Sequence, residues 1–273
     1  FQLAGTLAAP TLRGAATLAD GSANVLGLGI RVRKINLRAN ANGGRTLRID
    51  GNAASGAGTL AVAGDFTLGE GQAWTTKLHI TGERLEVANL SQAWVLASPD
   101  LRLAARPGWV QLQGRVDIPE AKLTPKPLQA PIPTSRDVVI VNAPEEALRE
   151  QRGWAVETQV RITLGDKVSF DGFGLTGKIT GSVVAVDSPD RLTSARGELR
   201  IKDGKYEAYG RKLDVERGRL LFAGGPIDNP GIDARAIRRV DEVTAGIAIG
   251  GTLKLPQLSL FSDPPLSESD TLS

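Results

Sequence analysis

Apolar residues recur at every second position along most of this chain. Leu28, Ile30 and Val32 share one parity within 25–37. Thr46 to Asn52, Gly58 to Leu68 and Trp74 to Gly82 repeat the alternation between glycine-rich turns, and Leu101 to Ala105 and Trp109 to Ile118 resume it. From Trp154 the pattern is cleanest. Trp154, Val156, Val160, Ile162 and Leu164 form one row, and Phe173, Leu175, Ile179 and Val183 form a second, with Gly177 and Gly181 in it. Ala195, Gly197, Leu199 and Ile201 follow, then Ala245, Ile247, Ile249, Gly251 and Leu253. The opposite parity is polar in each run. A period of two places all apolar side chains of a strand on one face and leaves the other wet. The stretch 197–230 reads as strand, turn, strand, turn, strand, with Asp203-Gly204 and Arg217-Gly218 as hairpin turns. Leu85 to Pro99 is less regular and reads as a crossing segment or a very short helix.

The phrase Gly5-Thr6-Leu7 with Pro10-Thr11-Leu12 returns as Gly251-Thr252-Leu253 with Pro256-Gln257-Leu258, and more loosely as Gly114 to Pro119. Recurrence at irregular distances suggests a repeating unit with variable arms. Proline cannot donate to a ladder, so each copy predicts a strand end or a jog. Leu123 to Pro133 carries Pro125, Pro127, Pro131 and Pro133 and predicts an extended link. Asp137 to Val141 reads as a strand and Pro144 to Gln151 as a helical octet or a loop tip. Three regions result: a β repeat region over 1–123, an irregular connection over 124–152 and a β domain over 153–273.

Composition sharpens the picture. Hydrophobic residues make up 41% but aromatics only 4%, so the apolar face is aliphatic. Cysteine and methionine are both absent. This removes thiolate chemistry and disulfides, and with the opening in mid-pattern it reads as a fragment. The net charge of +3 comes from cations set singly among apolar residues, without a basic block interleaved with aromatics, which argues against nucleic acid. No window approaches the roughly 20 apolar residues of a membrane helix.

Chemistry is hard to find. Gly172-Phe173-Gly174-Leu175-Thr176-Gly177-Lys178 contains both GxGxxG and GxxxxGK, but Ile179 to Val183 continues as a strand where a phosphate site needs a helix. His79 is the only histidine, set between Leu78 and Ile80 as a half-exposed strand residue. There is no GxSxG, DxDxD or HExxH string. The expectation is a protein that is not an enzyme, with no cofactor, no metal and no catalytic residue.

Gly165-Asp166, Phe173 to Gly177, Gly181, Gly197 to Ile201, Gly204-Lys205-Tyr206 and Ala208-Tyr209-Gly210 come in an ordered series. Arg217-Gly218 with Leu220-Leu221-Phe222, Asp228 to Gly231, Gly251-Thr252-Leu253 and Leu260 to Pro264 complete it. Over about 150–273 this series resembles the conserved terminal domain of the TamB family, within the AsmA-like bridge proteins. Arg211 stands where the family commonly has glutamine. The chain stops at Leu272-Ser273, where relatives continue into a segment expected to meet an outer-membrane partner. The resemblance implies a β-taco: an elongated, curled, open solenoid-like sheet with an apolar concave face and a polar convex face. It also implies a periplasmic position, a parent protein anchored in the inner membrane by a segment outside this chain, and a TamA-like outer-membrane barrel as partner. Roles in outer-membrane protein assembly and phospholipid traffic follow from it too.

Independently of that likeness, about sixteen strands at ~4.8 Å spacing make a ladder on the order of 75 Å. Its aliphatic face must meet another sheet, itself by curling, or a ligand. Two acyl chains of about sixteen carbons cost on the order of 25 kcal/mol in water at ~0.8 kcal/mol per methylene, which favours an apolar track for phospholipid acyl chains. By shared parity, Ile162, Leu175, Ile179, Val183, Leu199, Ile201, Ile249 and Leu253 are expected to line that track. The rival readings are templating of nascent outer-membrane protein strands by an edge or the groove, a closed-core structural spacer, and a carbohydrate-binding module. The shortage of aromatic platforms disfavours the last.

Overall fold

The computed structural model describes residues 1–6, 10–71, 73–126, 154–189, 191–208 and 210–265. Those residues form one sheet of sixteen strands, joined antiparallel except at one place. In chain order the strands are β1 (Gln2–Gly5), β2 (Pro10–Val25), β3 (Ile30–Gly44), β4 (Thr46–Ser55), β5 (Gly58–Leu68), β6 (Trp74–Glu83), β7 (Leu85–Leu90) and β8 (Ala93–Arg106). The series continues with β9 (Trp109–Leu123), β10 (Ala155–Gly172), β11 (Leu175–Asp187), β12 (Ser194–Ala208), β13 (Arg211–Pro226), β14 (Gly231–Val240), β15 (Val243–Thr252) and β16 (Leu255–Asp263). Each strand pairs with its neighbours in sequence, except that β6 passes over β7 to pair with β8. A single 3₁₀ turn, Leu26–Leu28, links β2 to β3. The sheet is curled and open, not closed into a barrel. At about 4.8 Å per strand its path of fifteen neighbours runs about 67 Å.

The exception in direction is β10, which lies parallel to β9, Ala155 opposite Trp109 and Phe170 opposite Leu123. A parallel pair cannot be closed by a hairpin, and the proline-rich connection falls at this point. The expected strand 137–141 and helical octet 144–151 lie outside the described residues.

Two of the expected turns are not turns. β12 runs unbroken through Asp203-Gly204, and β13 through Arg217-Gly218. Both sites belong to a line of bulges. Register shifts fall between Leu18 and Gly21 on β2, Arg33 and Asn36 on β3, Leu96 and Ser98 on β8, Leu164 and Lys167 on β10, and Val215 and Arg217 on β13. Asp20, Lys34, Arg84 and Asp203 take positive φ along the same line. An extra residue bends a strand and sharpens its twist, so bulges in neighbouring strands crease the sheet into two walls. Leu85 to Pro99, expected as a crossing or short helix, is instead the hairpin β7–β8 on the second wall.

Part of the small core lies at the crease. Leu85 opposes Ala97, and Val168 opposes Ala121; all four are buried, as is Leu96. Val168 is the only large side chain with under 2% exposure among the described residues. Most inward-facing Val, Leu and Ile elsewhere are half-buried.

Candidate functional site

The apolar face is continuous across strands. Leu18, Leu37, Gly51, Val62, Ile80, Leu101, Gly114, Val160, Ala185 and Ala195 are successive ladder partners from β2 to β12. Partners across a ladder project to the same face, so ten strands contribute one uninterrupted row of aliphatic side chains and glycine. The row one residue over, on the other face, holds Arg38, Asp50, Ala63, His79, Arg102, Gln113 and Gln159. One face is therefore aliphatic and the other largely polar.

The structure places the residues expected to line the track as follows. Ile162 opposes Val183, which opposes Gly197 and through it Phe222. Leu199 lies between Gly181 and Leu220. Ile179 opposes Ile201. Leu175, Ile201, Ile249 and Leu253 all line one cavity of about 360 Å³ near the end of the sheet. Leu253 reaches it from the turn between β15 and β16, 52% exposed, rather than from the strand expected there. The outward neighbours Lys178 and Arg200 are exposed.

Phe170, Tyr206, Val215, Gly218, Ala234, Ala236 and Ile247 also line that cavity and were not among the residues expected there. For Tyr206, Val215 and Gly218 the bulges explain why. Parity flips at Asp203 on β12 and at Glu216 on β13, so Gly204 and Tyr206 join Ile201, and Val215 joins Gly218, on the inner face. The available signal was the Asp-Gly and Arg-Gly dipeptides, which suit a bulge as well as a turn.

The convex face is laced by ion pairs. Glu198 accepts from Arg200 Nε at 2.8 Å, and Asp233 is paired with Arg217 at 2.8 Å and with Arg219. The hydrogen bond from Arg200 holds the Glu198 carboxyl below the usual range, and that from Arg219 does the same for Asp233. His79 Nε2 lies 2.7 Å from Asp100 Oδ1, and this contact, with Arg115 nearby, depresses the Asp100 carboxyl. Each titrating partner here has a counter-ion and none faces the cavity. Among the described residues no group of three His, Cys, Asp or Glu side chains could hold a metal. The Gly172–Lys178 string forms a hairpin turn at Phe173-Gly174, followed by strand.

Aromatic rings gather at one rim. Phe66 stacks on Trp74 at 5.6 Å, and Trp74 meets Trp154 at 5.8 Å. Trp154 precedes β10, whereas Trp74 opens β6, so the contact joins the two sides of the proline-rich connection.

A family model described as the TamB C-terminal domain matches residues 45–273. This chain belongs to the TamB family. The match begins well before the 150–273 stretch where the resemblance was legible, so most of the first strands belong to the TamB domain as well. The translocation and assembly module subunit TamB of Haemophilus influenzae is 28% identical over 216 residues, covering 73% of this chain. The alignment takes up 16% of that protein, so the chain spans about a sixth of the length of the TamB relative it matches. No helix of the described residues is long and apolar enough to cross a membrane, which says nothing of β-barrels.

Proposed function

We propose that this chain is a periplasmic bridge segment of a translocation and assembly module, whose apolar groove carries phospholipid acyl chains between the inner and outer membranes. It acts by binding and not by catalysis. Through a TamA-like barrel it supports assembly of outer-membrane proteins, and its parent is held in the inner membrane by a segment beyond this chain. The observation that carries the reading is the ten-strand aliphatic row, in which Val160 and Ala195 are buried and the other side chains stay half-buried or exposed. In a spacer with a closed core those Val, Leu and Ile side chains would be buried. Along the row from β3 to β12 each strand spends its backbone donors and acceptors on neighbours to both sides. A client β-strand inside the groove would find no pairing partners there, whereas a hydrocarbon chain needs none.

A second reading rests on β16. It pairs with β15 alone among the described residues, and Leu255 and Leu258 on it are 76% and 63% exposed. An edge of that kind suits templating of a client strand by augmentation.

Photo-crosslinking in cells tests both, with the probe at Ile179 and Leu199 and outward controls at Lys178 and Arg200. Phospholipid adducts at the inward pair alone are expected. Client-protein adducts there would favour templating, and no adduct at any position would return the closed spacer.

A further inference from the structure

The cavity near the end of the groove differs from the rest of the track in two ways. Its floor is built of glycine around Ile201. A Cβ on Gly177 or Gly204 would come within 2.9 or 2.8 Å of Ile201 Cγ2, and one on Gly218 within 3.2 Å of Ile201 Cβ. Ile201 is thereby seated low, and the space between Phe170, Leu175, Val215, Ala234 and Ile247 stays open. It is a cup, not a level stretch of groove.

The second difference is a cation at the margin. Ala234 and Ala236 line the cup, and β14 runs on against β15 without a register shift, so Arg238 carries the same parity. The pairing of Asp214 with Ile237 sets Arg238 beside Leu213, with Arg211 two residues away on the same face of β13. Arg238 is half-buried and has no hydrogen-bond or ion-pair partner among the described residues; Asp241 and Glu242 in the following turn do not pair with it. Arg235 also touches the cup, but its guanidinium lies over the Phe261 ring at 4.1 Å and 3.1 Å from Glu216, on the opposite face. A partly desolvated guanidinium without a counter-ion is unfavourable, and an arriving phosphate relieves it with two parallel charge-assisted hydrogen bonds.

We infer that the cup is a station for one acyl chain of a net-anionic phospholipid, its phosphate headgroup held at the margin by Arg238. The apolar lining selects the chain, and the Arg238 cation beside it selects the charge of the head. This deepens the groove reading and rests on it. The aliphatic row alone makes no distinction between headgroups.

The test uses the purified chain and two probes of equal acyl length below their micelle concentrations, lysophosphatidylglycerol and lysophosphatidylcholine, titrated by calorimetry. The wild-type chain is expected to bind the anionic probe about tenfold more tightly, the worth of one charge-assisted contact. Arg238→Gln is expected to abolish that preference by weakening the anionic probe far more than the zwitterionic one, whose choline ammonium already offsets its phosphate. Ala234→Phe, with Val215→Phe as a second plug should the first fail to fold by circular dichroism, is expected to weaken both probes. Equal binding of both probes by the wild type, a preference that survives Arg238→Gln, or plugs without effect would each overturn the station and leave the groove standing. Failure of the wild type to bind either probe would overturn the groove together with it.

Discussion

Ile179 and Ile201 are direct partners across the β11–β12 ladder, and both are half-buried. Val168, at the crease on the neighbouring strand β10, is 1% exposed. The contrast separates the groove surface from the small core beneath it.

An arginine at each site should therefore give opposite outcomes. Val168→Arg buries an unpaired charge and is expected to cost more than about 4 kcal/mol, unfolding the chain. Ile179→Arg leads its long side chain toward water and is expected to cost about 1–2 kcal/mol with strand content retained. Urea unfolding of both variants decides the matter. An Ile179→Arg variant as unstable as Val168→Arg would mean a closed interior.

Glycine positions along the inner and outer faces are not equivalent. Gly181 has φ +123°, and a Cβ there would sit 2.2 Å from the Glu198 carbonyl oxygen. Gly181→Ala is expected to lose about 3 kcal/mol, the upper range for enforced backbone strain. Gly250 has nothing within 4 Å of its Cβ position. Gly250→Ala is expected to be neutral or to stabilise by about 0.5 kcal/mol through the unfolded chain. Midpoints of urea denaturation at equal slope check both.

The convex-face carboxylates predict a direction of pH dependence. Asp233 and Glu198 are depressed in the fold, chiefly by hydrogen bonds from Arg219 and Arg200. Between the folded and unfolded pKa values the unfolded chain binds more protons, so stability rises with pH there. The contribution is complete above the ordinary carboxylate range near 4 and is lost as pH falls toward the depressed values. Denaturation midpoints from pH 6 down to pH 2 should decline less steeply in Asp233→Asn with Glu198→Gln than in the wild type. Because the pairs are partly exposed, added salt should shrink the difference.

Trp74 and Trp154 join segments far apart in sequence, with ring centroids 5.8 Å apart. A double-mutant cycle with Trp74→Leu and Trp154→Leu is expected to return a coupling of about 1 kcal/mol. Near-ultraviolet circular dichroism should change in each single variant. A coupling near zero would show that the rings do not secure the start of β10.

Much of the architecture was legible because it depends on a local property. Alternation identified β4, β5 and β6 nearly to the residue, and placed Ile162, Val183, Leu199, Ile201 and Ile179 on one face. The cup was visible only in part. Leu175, Ile201, Ile249 and Leu253 were named, whereas Tyr206 and Val215 were missed because two bulges reverse the parity on which the reading relied, and Ala236 because no alternating row was read over β14. Leu253 continued its row in sequence, but Leu253-Lys254 turns the chain before the row can extend.

Side-chain period and polarity are set within a single strand, so the sequence alone determined an all-β chain with one aliphatic and one charged face. Whether Asp203-Gly204 and Arg217-Gly218 fold back or merely bulge is not a local matter. Both dipeptides suit either conformation, and the ladder partners on both sides choose between them. The tertiary structure thus decided where the sheet creases, which residues stand in the second wall, and that β10 joins β9 in parallel. It also decided how far the apolar rows are buried. Burial depends on what lies opposite a side chain across space, and between the two walls much of the aliphatic face remains only half-covered.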